Sequence, residues 1–217
     1  MKRIFLLVTG IVLIGGIASA QINVGGGASA ILGTELYLYT YSGEQEEYCD
    51  LFSGGINAHI DVGNPLAFFL DASVAFALKG NETYYVDGEY VPPDLPFTVN
   101  NFTENLVLSG LVGAGVNLPL GAFDLFAGAG GHIYMYTYNY VPEIGPTVYN
   151  DMLSLGVGAM ANAVFPMGGY SLYAGGTVAY DFYHVTAPHL DAVEAYDPQA
   201  ALGILVGTVS VGALIEF

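Results

Sequence analysis

Between Leu66 and Lys79 the chain keeps a strict two-residue rhythm. One phase reads Leu66, Phe68, Leu70, Ala72, Val74, Phe76 and Leu78. The other contains Phe69, Asp71, Ser73, Ala75, Ala77 and Lys79. Successive side chains point to opposite faces only in an extended strand. Such a strand has one apolar face and one mixed, partly charged face. The stretch from Ser154 to Phe165 repeats the rhythm. Leu155, Val157, Ala159, Ala161, Ala163 and Phe165 alternate with Ser154, Gly156, Gly158, Met160, Asn162 and Val164. A soluble sandwich turns its polar face to bulk water and carries more charge there. A transmembrane barrel does the reverse, apolar outward and polar or small inward.

Eight segments carry this signal: 22–41, 52–62, 66–79, 101–118, 123–140, 152–165, 170–185 and 199–217. Three connections are short turns rich in Gly and Pro: Gly63-Asn64-Pro65, 119–122 and 166–169. Four are longer and acidic: 42–51, 80–100, 141–151 and 186–198. Short and long connections alternate without exception, as in barrels with short periplasmic turns and long outer loops. The expected fold is all-β: an eight-stranded antiparallel up-and-down transmembrane β-barrel with both termini on the periplasmic side. Helical spans are disfavoured because Gly interrupts the apolar segments.

The first twenty residues read as a leader. Lys2 and Arg3 precede an apolar run from Ile4 to Ile17, and Ala18-Ser19-Ala20 follows. This is the layout of a secretory signal peptide cleaved after Ala20, with the barrel occupying 21–217. Beyond residue 20 the chain holds all 20 carboxylates and only one Lys or Arg, Lys79. That balance excludes nucleic acid as a partner, because phosphate contacts need cationic side chains. It also cannot supply the basic loops that orient helical membrane proteins. Cys49 is the single cysteine, so no intrachain disulfide can form. Its neighbours Glu46, Glu47 and Asp50 disfavour a thiolate.

The last strand ends in a terminal Phe217, with Val209, Val211, Ala213 and Ile215 at alternate positions before it. This resembles the assembly signal of bacterial outer-membrane proteins. With the leader and the eight segments, the chain resembles the small eight-stranded barrels typified by OmpA, OmpX and OmpW. The resemblance implies insertion by the barrel-assembly machinery, outer-membrane lipid as surroundings, and a structural or surface-interaction role. It implies an alternative too, since OmpW-like barrels are associated with passage of small apolar compounds. A monomer is expected.

The inward phase supplies the candidate site. Glu35, Asp71, Lys79, His132, Tyr134, Tyr136, Tyr138, Asp181 and Tyr183 are expected to face the upper lumen. Eight strands leave a lumen just wide enough for side chains to fill. A packed polar plug is therefore the leading expectation, with Lys79 paired to Asp71 or Asp181. The competing expectation is a cavity above inward Gly and Ala that admits a small apolar ligand. No enzyme is expected. His59, His132, His184 and His189 match no metal or nucleophile spacing, and no Ser stands on a strand-turn-helix elbow. No cofactor or metal motif is present, although acidic outer loops could attract divalent cations.

Overall fold

The computed structural model describes residues 21–40, 44–86, 89–91, 106–140, 148–188 and 201–217. Side chains are described over 21–34, 51–78, 106–137, 153–183 and 203–217. The leader lies outside the described residues. Among the described residues, nine strands follow in order: β1 (Ile22–Thr40), β2 (Glu44–Val62), β3 (Leu66–Val86), β4 (Glu89–Val91), β5 (Leu106–Pro119), β6 (Asp124–Tyr140), β7 (Val148–Pro166), β8 (Ser171–Pro188) and β9 (Ala201–Glu216). Eight of them form one antiparallel sheet closed on itself, and short β4 folds back on the end of β3. Closure occurs where β1 pairs with β9. There Phe217 N–H donates to the Ile22 carbonyl at 2.8 Å, and Ile22 N–H donates to the Phe217 carbonyl at 3.2 Å. The last residue is thus part of the seam.

The alternation becomes an inside and an outside. On β3, Leu66, Phe68, Leu70, Val74, Phe76 and Leu78 are exposed, whereas Ala67, Phe69, Asp71, Ser73, Ala75 and Ala77 are buried. Tilted as barrel strands are, the exposed run spans roughly 28 Å along the barrel axis, close to a hydrocarbon core. Exposed aromatics border it. Phe165, Tyr170 and Phe217 lie at the terminus end, and Phe52, Phe76, Tyr180 and Phe182 toward the other. Paired aromatic girdles of this kind mark the two interfaces of a membrane barrel. In β9, Val209, Val211 and Ile215 are exposed, as is Phe217 just beyond it, and Ala213 shares their phase at intermediate exposure.

Strands run further than the alternation suggested. Glu44, Glu46, Glu47 and Asp50, expected in a loop, belong to β2, and Glu82 belongs to β3. Charge does not stop a strand once its neighbours offer backbone partners. Glu46 sits opposite Leu38 on one side and Tyr85 on the other. The three short turns stand where Gly and Pro predicted them. Gly63, Gly121 and Gly168 adopt positive φ, which side chains with a Cβ rarely do.

Candidate functional site

Among the described residues, the middle of the lumen is filled from its own wall. Inward glycines provide recesses that rings on neighbouring strands occupy. A Cβ at Gly128 would meet the Phe69 ring at 2.5 Å, one at Gly115 the Phe126 ring at 2.6 Å, and one at Gly212 the Tyr173 ring at 2.7 Å. At Gly115, Gly128 and Gly212 the volume beside the backbone is taken by these rings. Two apolar clusters result. The one nearer the termini joins Ala67, Phe69, Leu111, Phe126 and Met160. The other joins Ile31, Leu51, Ala75, Ala77, Val107, Tyr134, Tyr136, Ala179, Ile204 and Val206.

Two histidines organise the polar interior. His59 Nδ1 lies 3.1 Å from Asp71 Oδ2, and its Nε2 lies 3.3 Å from Asp61 Oδ2. A carboxylate oxygen accepts, so a ring serving both donates from both nitrogens. Asn23 Nδ2 donates to the other Asp61 oxygen at 2.9 Å. Phe126 packs edge-on against the imidazole at 5.5 Å. Nearby, Tyr173 Oη donates to Asn57 Oδ1 at 2.8 Å.

The second group reads Ser109, His132, Asp181, Ser154. His132 Nε2 stands 3.0 Å from Ser109 Oγ, its Nδ1 stands 2.8 Å from Asp181 Oδ1, and Ser154 Oγ donates to Asp181 Oδ2 at 2.6 Å. Atom for atom, Ser109, His132 and Asp181 are connected like a hydrolase triad. A nucleophile also needs a place for its substrate. All three residues are buried, and none of them lines the cavity at the terminus end of the lumen. This arrangement satisfies a buried carboxylate and holds four strands in register. Sequence spacing could not reveal it, because the four residues come from β5, β6, β7 and β8. The signal available was weaker: each occupies the inward phase of its strand.

The closed sheet divides the expected lumen residues. Asp71, His132, Tyr134, Tyr136 and Asp181 are buried in the lumen. Tyr183 is not there: it is 57% exposed on the outer face. A bulge in the β7–β8 pairing places Asp181 opposite Gly156 but Tyr183 opposite outward Leu155. One extra residue reverses the phase of everything beyond it. Tyr183 therefore joins Phe182 and Tyr180 in the aromatic girdle. The backbone register also shifts ahead of Lys79. A bulge in the β2–β3 pairing puts Ala77 opposite buried Ser53 but Lys79 opposite outward Phe52. Asp71 is partnered by His59, and Asp181 by His132 and Ser154. Leu202 is the inserted residue where β9 shifts register against β1. The side chains of Glu35, Lys79 and Tyr138 lie outside the described residues.

At the terminus end a cavity of about 460 Å³ opens between the strands. Its floor includes His59 and Phe126, and its rim carries Gln21, Asn64, Asp124, Glu216 and Phe217. It is a vestibule closed at its inner end by the lower cluster. No group of three His, Cys, Asp or Glu side chains among the described residues is placed to hold a metal ion.

No protein-family model matches the chain, and no curated protein does either. Among solved structures the chain resembles small eight-stranded outer-membrane barrels. Neisserial surface protein A is 14% identical, with 90% of this chain and 97% of that chain covered at a TM-score of 0.47. A major outer membrane protein from Thermus thermophilus is 15% identical, covering 92% and 100% at 0.49. OprG from Pseudomonas aeruginosa is 10% identical, covering 91% and 96% at 0.47. These are likenesses of fold.

Proposed function

We propose that this chain is a non-enzymatic barrel of a bacterial outer membrane, closed to ions, whose working surface is its acidic outer rim. Both termini then lie on the periplasmic side, and the assembly machinery reads the strand ending at Phe217. The single observation that carries the reading is the lumen packing. Two side-chain clusters, with the His59 and His132 groups, fill the interior between the vestibule and the upper wall. Side chains packed in this way would leave no path for a hydrated ion through the middle of the barrel. A surface role follows because the wall and the lumen are committed to lipid and to packing.

The rim residues that remain are acidic, including Glu44, Glu46, Glu47, Glu82 and Glu89. They fit a basic or cation-bridged partner. Planar-bilayer recording of the refolded protein tests the closed lumen. The expected outcome is an absence of discrete openings up to the voltage at which the bilayer itself fails. Reproducible unitary openings in the wild type would refute the reading and favour a narrow channel. Uptake of small apolar solutes into vesicles containing the barrel checks the route that a conductance measurement cannot see.

A further inference from the structure

Two of the hairpin tips at the terminus end, between β5 and β6 and between β7 and β8, have the wrong chemistry for water. Leu118 to Phe123 reads Leu-Pro-Leu-Gly-Ala-Phe, and Phe165 to Tyr170 reads Phe-Pro-Met-Gly-Gly-Tyr. Turns that face water draw on Asn, Asp and Ser. Neither tip carries a charge although the chain holds 20 carboxylates, and the Tyr170 hydroxyl is their one polar side-chain group.

The two tips are built alike. Leu120 N–H donates to the Phe123 carbonyl at 3.0 Å, and Met167 N–H donates to the Tyr170 carbonyl at 2.8 Å. A glycine of positive φ follows in each, Gly121 and Gly168. Two-residue loops of this kind keep the strand alternation up to the turn. Leu120 thus extends the exposed phase of Leu118, and Met167 that of Phe165, and each is 55% exposed. The Phe123 and Phe165 rings meet at 5.6 Å and join the hairpins into one ledge. The third turn at this end differs. Its tip is Asn64, whose Nδ2 donates to Gln21 Oε1 at 2.7 Å. The Pro65 carbonyl accepts from Asn117 N–H at 2.7 Å, and the chain runs on past that contact to Leu118 and Leu120 before it turns.

We propose that this ledge is a lipid-docking surface, seated in the headgroup–acyl boundary of the leaflet at the terminus end, while the β2–β3 turn stays in water. The inference goes beyond the closed lumen and rests on the membrane placement of the barrel. Continuity names the occupant. The ledge prolongs the lipid-facing wall, and no charged residue interrupts the outward phase between them. Left in water, it would be a contiguous exposed apolar patch. The unpaired backbone groups of the tips keep it at the boundary, where water still reaches, and out of the hydrocarbon. Apolar faces that bind there sink roughly 5–10 Å. The barrel is therefore immersed unevenly, deeper along β5 to β8 than along β1 to β3.

The chain has no Trp, so a single introduced Trp reports its own position. The test folds the chain from Gln21 to Phe217 into phosphatidylcholine vesicles with Trp placed by Leu120→Trp, Met167→Trp, Asn64→Trp or Leu70→Trp. Phospholipids brominated near the headgroup or near the chain end quench from inside the bilayer, and iodide quenches from water. Leu120→Trp and Met167→Trp should emit at shorter wavelength than Asn64→Trp and be quenched about twofold or more strongly by the shallow bromines. Leu70→Trp, in the belt, should respond most to the deep ones. Equal quenching of the ledge and Asn64 positions would overturn the proposal. So would ledge positions open to iodide and untouched by bromine, which would leave a protein partner to cover the ledge. A Leu70→Trp barrel quenched only by iodide would overturn the membrane placement itself, and the ledge with it.

Discussion

Replacing His132 by Leu should expose how much the buried charge inside this barrel depends on one ring. The side chains of His132 and Asp181 are 1% and 0% exposed and meet at 2.8 Å. Leu approximates the volume of imidazole but donates nothing. The variant loses a hydrogen bond to a buried carboxylate and strands half of Asp181. Removing one partner of a buried pair costs about 3–5 kcal/mol. Ser154 still donates to Asp181 Oδ2 at 2.6 Å, so the lower end applies, about 3 kcal/mol. That is about a hundredfold in the folding equilibrium. Asp181→Leu removes the charge itself and leaves His132 bonded to Ser109, a loss of about 2 kcal/mol. The double variant removes both ends of the pair. It should fall short of the sum by about 2 kcal/mol, because an apolar pair has no stranded charge. Folding into lipid vesicles across a urea series measures this. Circular dichroism or gel mobility must report it, since the chain has no Trp. A His132→Leu barrel within about 0.5 kcal/mol of wild type, or strict additivity in the double variant, would refute the reasoning.

Three further outcomes follow from the same geometry. Gly128→Val drives a side chain into the Phe69 ring and should destabilise the barrel by about 1–3 kcal/mol in the same urea series, whereas Gly207→Ala, with open space at its Cβ, should stay within about 0.5 kcal/mol. Leu70→Arg places a charge in the lipid-facing belt and should cost about 2–4 kcal/mol, against about 0–1 kcal/mol for Tyr183→Arg in the girdle; a larger loss at Tyr183 would return that residue to the lumen. A fluorophosphonate probe should leave Ser109 unlabelled in the folded barrel, as mass spectrometry would show, because its triad-like partners are sealed from substrate.

The family of the fold was legible in short-range pattern. Alternation is a local property: each residue of a strand faces opposite to the last, so an apolar phase declares which side meets lipid. Leu66 to Leu78 and Val209 to Phe217 carry that information unaided, and the Gly-Pro turns tell where the chain reverses. The inward assignment of Asp71, His132 and Asp181 needed nothing more. What a strand cannot carry is the identity of its neighbours' side chains at the same height. His132 meets Ser109 and Asp181 only because register across β5 to β8 brings them to one level, whereas His59 meets Asp61 on its own strand and Asp71 directly across the β2–β3 hairpin. The electrostatic argument called for donors to these carboxylates, and His59, His132 and Ser154 supply them; the side chain of Lys79 lies outside the described residues.

Phase itself was decided by the tertiary structure beyond each bulge. Tyr183 and Lys79 continue perfect alternations in sequence, yet one inserted residue in the pairing moves Tyr183 to the outer face and sets Lys79 opposite an outward residue. Bulges leave little trace in composition, since they are settled by how the closing sheet bends and by which cross-strand contacts that bend rewards. The sequence by itself therefore determined a membrane barrel and its two faces, because lipid and water act on each residue separately. Only the closed sheet decided which side chains meet inside it, because that depends on register among strands distant in the chain.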